Sequence, residues 1–334
     1  MFFKNRKVLI IGGTGTIGKS ILEKILPENP KVVRIFSRDE YKQYLLQNTF
    51  NQPKNLRYLI GDIRDYDRLF AAMEDIDYIF HAAALKHVPA CEYNPFEAVL
   101  TNIIGTNNVI KAAKARGVKK VIFTSSDKAI SPTNTYGATK LTAERMIIAS
   151  ENNKGSSETT FSIVRFGNIL ASRGSVIPLF VNQILKDRRV TVTNGEMSRF
   201  MMTVNQATHL TIKAMEEARG GEIFVLKMPV ILLKDLVQVV CQETCSIHGI
   251  KLSEIKIEEI GLRPGEKMYE ELMTTDESVN AYEQADMYVI PSSFEKVPPG
   301  GINQRARIGS YSSGDQAPLS LEEVRQLIRE EKLI

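Results

Sequence analysis

The sequence predicts an α/β fold: a doubly wound parallel sheet with a smaller C-terminal lobe. Over the first half of the chain, short β-branched and apolar runs alternate with helical stretches of about ten residues or more, the pattern of βαβ units. The first run ends in glycines spaced three apart, at 12, 15 and 18. Beyond about residue 170 the alternation is lost, which sets the second lobe apart.

Taken in order, residues 8–11 form a strand and 18–26 an amphipathic helix that Pro27 stops. A strand at 32–36 precedes a polar helical stretch at 39–47, and 56–60, 66–73 and 78–80 repeat the alternation. A long helix at 96–116, a strand at 120–124, a helix at 136–152 and a strand at 161–166 complete the unit. Right-handed crossovers place helices on both faces. In the rest, Arg173-Gly174-Ser175 and Asn194-Gly195 read as turns, 233–245 as a helix and 321–334 as an amphipathic segment. Arg263-Pro264-Gly265 and Pro298-Pro299-Gly300-Gly301 punctuate what lies between.

The 334 residues are 43% apolar and 25% charged, an ordinary globular balance that argues against disorder. A net charge of +4 over this length does not imply a nucleic-acid binder, though it suits an anionic substrate. No apolar run approaches the roughly 18 residues of a membrane span. The opening Met-Phe-Phe-Lys-Asn-Arg-Lys enters a strand pattern directly, which predicts no signal peptide. Cys91, Cys241 and Cys245 make no disulfide framework, so a reducing cytoplasm is expected.

The glycines have separate tasks. Gly12 permits a tight turn, Gly15 lets the backbone approach a pyrophosphate, and Gly18 lets the helix pack on the sheet. With Thr14, Thr16 and Ile17 they put a helix N-terminus, with its free N–H groups, against the phosphates of a dinucleotide. An acid at the end of the second strand would bind a ribose 2′-hydroxyl, whereas an arginine accommodates a 2′-phosphate. Here Arg38 comes first, beside Ser37 and with Lys42 a turn away, so NADP is favoured over NAD. Asp39 reads as the cap of the next helix. Asp62, next to Ile63, either accepts from the adenine amine or caps the helix after it. The small side chains of Ala82, Ala83 and Ala84 let the chain pass close to a cofactor.

Ser126-Asp127-Lys128 ends the fifth strand, at the edge where such sheets place ligands. Tyr136 and Lys140 are four apart and share one helix face. A lysine there, near a cationic nicotinamide, lowers the phenol pKa and makes Tyr136 a base. Cys241, Cys245 and His248 imitate zinc ligands, but the thiols fall in an apolar helix pattern and no fourth partner is spaced to match, so no metal is expected. The Phe and Met residues from 197 to 202 read as packing.

On its glycine loop, its post-strand serine and Tyr136-x-x-x-Lys140, the chain resembles the extended short-chain dehydrogenase/reductases, with their Rossmann-type domain. Within that superfamily the epimerases lack an acid–base pair after the serine, and the dTDP-glucose dehydratases carry Asp-Glu. Asp127-Lys128 is similar to the pair of the UDP-N-acetylglucosamine 4,6-dehydratases, in particular the short forms of pseudaminic acid and related pathways. Ala84-Leu85-Lys86-His87-Val88-Pro89, Glu92-Tyr93-Asn94-Pro95, Arg165-Phe166-Gly167-Asn168, Ser172-Arg173-Gly174-Ser175 and Arg263-Pro264-Gly265-Glu266-Lys267 add to the likeness. Ile11 and Ser126 stand where relatives often have Thr, and Tyr136 is kept as in the members that invert C5.

The resemblance implies a dinucleotide-binding unit over residues 1–170 carrying the catalytic groups, and a UDP-sugar lobe over 171–334, partly interleaved with it. It implies an internal redox cycle in which Tyr136 takes the C4 hydroxyl proton, Ser126 orients that oxygen and Lys140 tunes the tyrosine. Lys128, kept partly neutral by burial near cationic groups, would take the C5 proton, and protonated Asp127 would release the C6 hydroxyl as water. Asn168, Arg199, Arg263 and Glu266 are candidates for UDP recognition, and Lys86 and His87 for the border of the sugar. For His87 a purely structural role competes, for Arg199 a surface ion pair, for Asp127-Lys128 a salt-bridged loop pair, and for Arg38 and Lys42 solvated surface charge. A homo-oligomer is implied. A C5-retaining 4,6-dehydratase, a UDP-hexose 4-epimerase of the same superfamily and a non-catalytic dinucleotide sensor are the alternative functions.

Overall fold

The computed structural model describes residues 1–50, 53–170, 175–292 and 304–334, so Ser172-Arg173-Gly174 and Pro298-Pro299-Gly300-Gly301 lie outside the described residues. The first half supplies strands β1 (Lys7–Ile11), β2 (Val32–Ser37), β3 (Leu56–Ile60), β4 (Tyr78–His81), β5 (Lys120–Ser126) and β6 (Thr160–Phe166). Between them run helices α1 (Thr16–Ile25), α2 (Glu40–Thr49), α3 (Tyr66–Ala72), α4 (Val88–Tyr93), α5 (Pro95–Ala98), α6 (Gly105–Ala115) and α7 (Thr135–Asn152). The six strands are parallel in the order β3-β2-β1-β4-β5-β6, the expected doubly wound sheet. Val8, Leu9, Ile10, Ile11, Ile79 and Phe80 are fully buried, as continuous apolar strands must be when helices cover both faces. The order reverses beside β1, which opens a crevice at the carboxyl ends of the strands.

Polar side chains mark where the helices begin. Asp39 accepts from the Lys42 N–H and caps α2, as the sequence predicts. Asp65, not Asp62, caps α3 by accepting from the Arg68 N–H, which removes one of the two readings of Asp62. Asn134 caps α7 through the Gly137 N–H. The long helix expected at 96–116 is interrupted: between α5 and α6 the turns at Val99–Ile104 widen into a π-helix. At that point Asn102 bonds both ways with the Leu85 backbone, and Gly105 lies so close to Ile63 that an added Cβ would meet its side chain at 2.6 Å. Such wide turns often accompany functional sites.

The second half supplies β7 (Asn168–Ile169), α8 (Val176–Asp187), β8 (Arg189–Val192), β9 (Ser198–Met202), α9 (Val204–Glu217), β10 (Ile223–Leu226), β11 (Val230–Leu232) and α10 (Leu233–His248). It continues with β12 (Lys256–Glu259), β13 (Glu271–Met273), α11 (Thr275–Ser278), β14 (Tyr282–Glu283), β15 (Met287–Ile290), β16 (Tyr311–Ser312) and α12 (Leu321–Glu330). Strands β10, β15 and β14 extend the main sheet beyond β6, with β15 antiparallel to both its neighbours, and Thr208 of α9 bonds Ser20 of α1 at 2.8 Å. Around a second core of Ile177, Phe180, Leu236 and Val240 stand the small sheets β11-β9-β7 and β12-β8, while β13 pairs with β16. Cys241 and Cys245 are buried in this core, and Met197, Phe200, Met201 and Met202 are packed side chains. Among the described residues no helix is long and apolar enough to cross a membrane, and no group of His, Cys, Asp and Glu could hold a metal ion.

One buried ion cluster ties the halves together. Arg165, at the end of β6, donates to Glu144 of α7 at 2.8 and 3.1 Å, to Glu277 of α11 at 3.0 and 3.1 Å, and to the Leu272 carbonyl at 2.9 Å. Breaking such a cluster from one side leaves buried carboxylates without a counter-charge. Arg165→Met should therefore lower unfolding free energy by about 3–5 kcal/mol, read from the urea midpoint. An unchanged midpoint would show that the cluster is not a stabilising tie.

Candidate functional site

The carboxyl ends of β1, β2 and β4 form a cradle. Gly12 has φ +81°, and a Cβ on it would lie 2.8 Å from the Ala83 nitrogen. A Cβ on Gly18 would sit 2.6 Å from the Gly12 carbonyl oxygen, so neither position accepts a side chain. Gly15 caps α1 without any side-chain hydrogen bond to the first N–H groups of that helix. This is a donor set that fits a pyrophosphate, with Thr14, Thr16 and Ile17 half-buried around it and Ala82–84 along the facing wall. A dinucleotide fits these residues.

Beyond the end of β2 the charges are already paired. Lys42 pairs with Asp39, and Arg38, half exposed, lies 3.6 Å from Asp62. Asp62 also accepts from Arg64, which reaches Glu97 at 2.8 Å. These guanidinium groups hold the Asp62 carboxyl below the usual range despite the opposing effect of burial. The Ser37 hydroxyl accepts from the buried Gln43 amide at 3.0 Å.

The strand end of β5 and the start of α7 build the reactive corner. Gly137 makes it possible: an added Cβ would fall 2.1 Å from the Lys128 carbonyl oxygen, so only glycine lets α7 close on the turn Asp127–Ala129. The Ser126 hydroxyl donates to Asp127 Oδ1 at 2.7 Å, and Asp127 is fully buried. Lys128 Nζ lies 3.1 and 3.3 Å from the two Asp127 oxygens and 3.5 Å from Glu270 Oε1. Burial pulls the Lys128 ammonium down, but the two carboxylates outweigh it and hold the proton on. This corrects the expectation of a partly neutral amine, because the neighbours that decide its charge are acids.

Tyr136 is buried, and desolvation pushes its phenol up to about 12 against the opposing effects of Ser126 and Lys128. Lys140 Nζ donates to the Thr124 carbonyl at 2.6 Å and lies 3.9 Å from the centre of the Phe123 ring. Of the charges around the phenol, Lys128 favours the phenolate. Burial brings Lys140 itself down to about 7, partly offset by Glu144 one turn on. His81 beneath it is held neutral, its pKa down to about 3 through burial and the Lys140 charge.

A cavity of about 620 Å³ opens in front of Lys128, within the size range of ligand sites. It brings together Asn168, Arg199, Arg263 and Glu266 with Glu270 and with Glu92 and Tyr93 of α4. Lys86 and His87 are exposed just before α4 and are not among its lining residues. Arg199 is not a surface ion pair: its guanidinium donates to the carbonyls of Lys267, at 2.8 Å, and Met268, at 3.2 Å. The segment 263–270 is sewn to the corner by Thr133 and Asn134, which donate to the Gly265 carbonyl, and by Lys267, which donates to that of Ile130. Glu270, 4% exposed, is the site residue that sequence reasoning missed; the only signal was its place three residues beyond Arg263-Pro264-Gly265-Glu266-Lys267. A wider groove, about 1390 Å³, lies at the opposite sheet edge near Lys120 and Thr160, where α/β sheets do not place ligands.

A sequence profile described as polysaccharide biosynthesis protein matches residues 8–292. The chain is 47% identical over 331 residues, 98% of it and 97% of the relative, to an uncharacterized membrane protein of Methanocaldococcus jannaschii. It is 40% identical over 335 residues, 98% and 96% of the two chains, to a UDP-glucose 4-epimerase of Rickettsia bellii. Its structure matches that of Pen from Bacillus thuringiensis with a TM-score of 0.96 at 64% identity, over 100% of both chains. The doubly wound sheet is a Rossmann arrangement.

The buried Lys140 makes stability depend on pH. The unfolded chain keeps this proton up to about 10.5 and the folded chain only to about 7, so between those values the unfolded state binds more protons and stability rises with pH. Lys140→Met removes that dependence. Urea melts at about pH 7 and about pH 9 should show the wild type gaining on the variant as pH rises; a constant or shrinking difference contradicts the assignment.

Proposed function

The chain belongs to the polysaccharide biosynthesis protein family, and from that premise we propose that it is an NADP-dependent UDP-N-acetylglucosamine 4,6-dehydratase that inverts C5. One observation carries this reading: Lys128, paired with the buried Asp127 at the strand end, lines the same cavity as Asn168, Arg263 and Glu266. An acid and a base on neighbouring residues suit removal of a hydrogen and a hydroxyl from adjacent carbons. Residues 1–170 would hold the dinucleotide and most of 171–334 the UDP-sugar. Arg38 and Ser37 would receive a 2′-phosphate, Asp62 and Ile63 would border the adenine, and Arg263 and Glu266 would face the diphosphate and ribose. Arg199 would shape the segment 263–270 instead of contacting phosphate. Exposed Tyr93 and Phe96 offer an apolar surface to a second copy in a homo-oligomer.

The oxidised nicotinamide, when bound, would accept the C4 hydride and return it at C6, and its positive charge would favour the Tyr136 phenolate. Tyr136 receives the C4 hydroxyl proton, with Lys140 and Ser126 holding the corner. Tyr136 passes that proton through Ser126, which bonds Asp127 and lies beside the phenol, to the Asp127 carboxylate. The new ketone acidifies C5, whose proton passes to Lys128 once that amine has shed its own. Asp127 gives its proton to the C6 hydroxyl, which leaves as water. As C6 regains its hydride, a proton reaches C5 from the opposite face, which inverts that centre, and Lys128 gives up the one it took.

A second reading is a UDP-sugar 4-epimerase, favoured by the relatives that bear that name. Product mass separates the two. With UDP-N-acetylglucosamine the dehydratase releases a product lighter by one water, whereas the epimerase leaves the mass unchanged. Tyr136→Phe and Lys128→Ala should each slow water loss by about 10²–10⁴-fold. Turnover that survives both substitutions would overturn these roles.

A further inference from the structure

Glu270 is a buried carboxylate in a cavity wall, and such a group costs several kcal/mol unless charge compensates it. Its compensation is loose. Lys128 Nζ stands 3.5 Å away and Arg199 Nε 3.9 Å, in contrast to the bonds of 2.8–3.1 Å that Glu144 and Glu277 receive from Arg165. Its backbone is nonetheless fixed: the Glu270 N–H donates to Ser313 Oγ at 2.9 Å, and the Ser313 N–H donates to the Glu270 carbonyl at 2.8 Å. A carboxylate that is rigidly placed yet loosely paired, between an amine and a substrate-sized space, is arranged for proton exchange.

We propose that Glu270 is a positioning residue that takes the ammonium proton of Lys128, so that a neutral amine faces the C5 hydrogen, and returns it at the end of turnover. This rests on the dehydratase reading. One N–H bond of Lys128 breaks and one O–H bond of Glu270 forms, and the charge of the cluster is unchanged. The amine then takes the C5 proton as the C5 electron pair moves toward C6 and the C6–O bond breaks, Asp127 protonating the departing oxygen. When Lys128 has passed on the proton from C5, Glu270 returns its own. The charged groups facing Glu270 are Lys128 and Asp127 from the turn after β5, Arg199 of β9, and Lys267 of its own segment. Burial raises the Glu270 carboxyl more than these cations lower it, consistent with a group that can hold a proton.

The holoenzyme, Glu270→Gln and Glu270→Asp are compared in single turnovers with UDP-N-acetylglucosamine. Glu270→Gln should reduce the bound nicotinamide at the wild-type rate, accumulate the reduced form, and lose water on the order of 100-fold more slowly. The acid limb of its pH–rate profile should vanish, and Glu270→Asp should restore part of both. Water loss and a pH profile equal to wild type in Glu270→Gln overturn the inference. If the wild type releases no water, the dehydratase reading falls, and carbon NMR of carboxyl-labelled glutamate decides about Glu270 independently. Its resonance, identified by its loss in Glu270→Gln, should titrate above the ordinary carboxylate range and higher still in Lys128→Met. A normal titration unmoved by Lys128→Met overturns the inference on that arm as well.

Discussion

The site depends on one half-buried ammonium shared by two buried carboxylates. Lys128 and Asp127 leave the sheet at the end of β5, while Glu270 arrives from the far side of the cavity, and the charge between them is what the surrounding structure keeps in place. Burying two carboxylates is costly, so the neighbours leave little freedom. Gly137 brings the first turn of α7 against the Lys128 carbonyl, Ser126 bonds Asp127, and Ser313 fixes the backbone of Glu270. The cavity is the space these constraints leave open.

A second line of charge runs down α7. Tyr136, Lys140 and Glu144 lie one turn apart on one face, and Arg165 closes the line by holding Glu144 and Glu277 together. Position along this face decides protonation: the phenol nearest the cavity is pushed up, the amine below it is brought down, and the histidine under that amine is neutral. Because Arg165 also grips α11 and the Leu272 carbonyl, the helix that carries the phenol is anchored to the same half of the chain that supplies Glu270. Redox and elimination chemistry would thus share one rigid frame.

What the sequence disclosed was whatever local spacing encodes. The glycines at 12, 15 and 18, the Asp39 cap and the strand–helix order of the first half follow from rules that act within a few residues, and the structure has them. The same spacing brought Tyr136 and Lys140 onto one face. The rest is set by partners distant in the chain. Glu270 and Lys128 meet only through the fold, so the charge on Lys128 could not be deduced from the basic residues near it. Arg199 looked like a ligand arginine because its carbonyl partners at 267 and 268 are invisible to local pattern. The widened turns at Val99–Ile104 escaped notice because the apolar periodicity runs through them, while their cause, the bond between Asn102 and Leu85, is tertiary. The strands of the second half are short and pair across long separations, so periodicity marks few of them.

The central claim is that an amine and a carboxyl side by side remove a proton and a hydroxyl from neighbouring carbons of one hexose. Proton NMR of the product formed from UDP-N-acetylglucosamine in deuterated water tests it directly. The account predicts a C6 methyl group, deuterium at C5, and the opposite configuration at that carbon. A product that retains its C6 hydroxyl and its C5 hydrogen would contradict it.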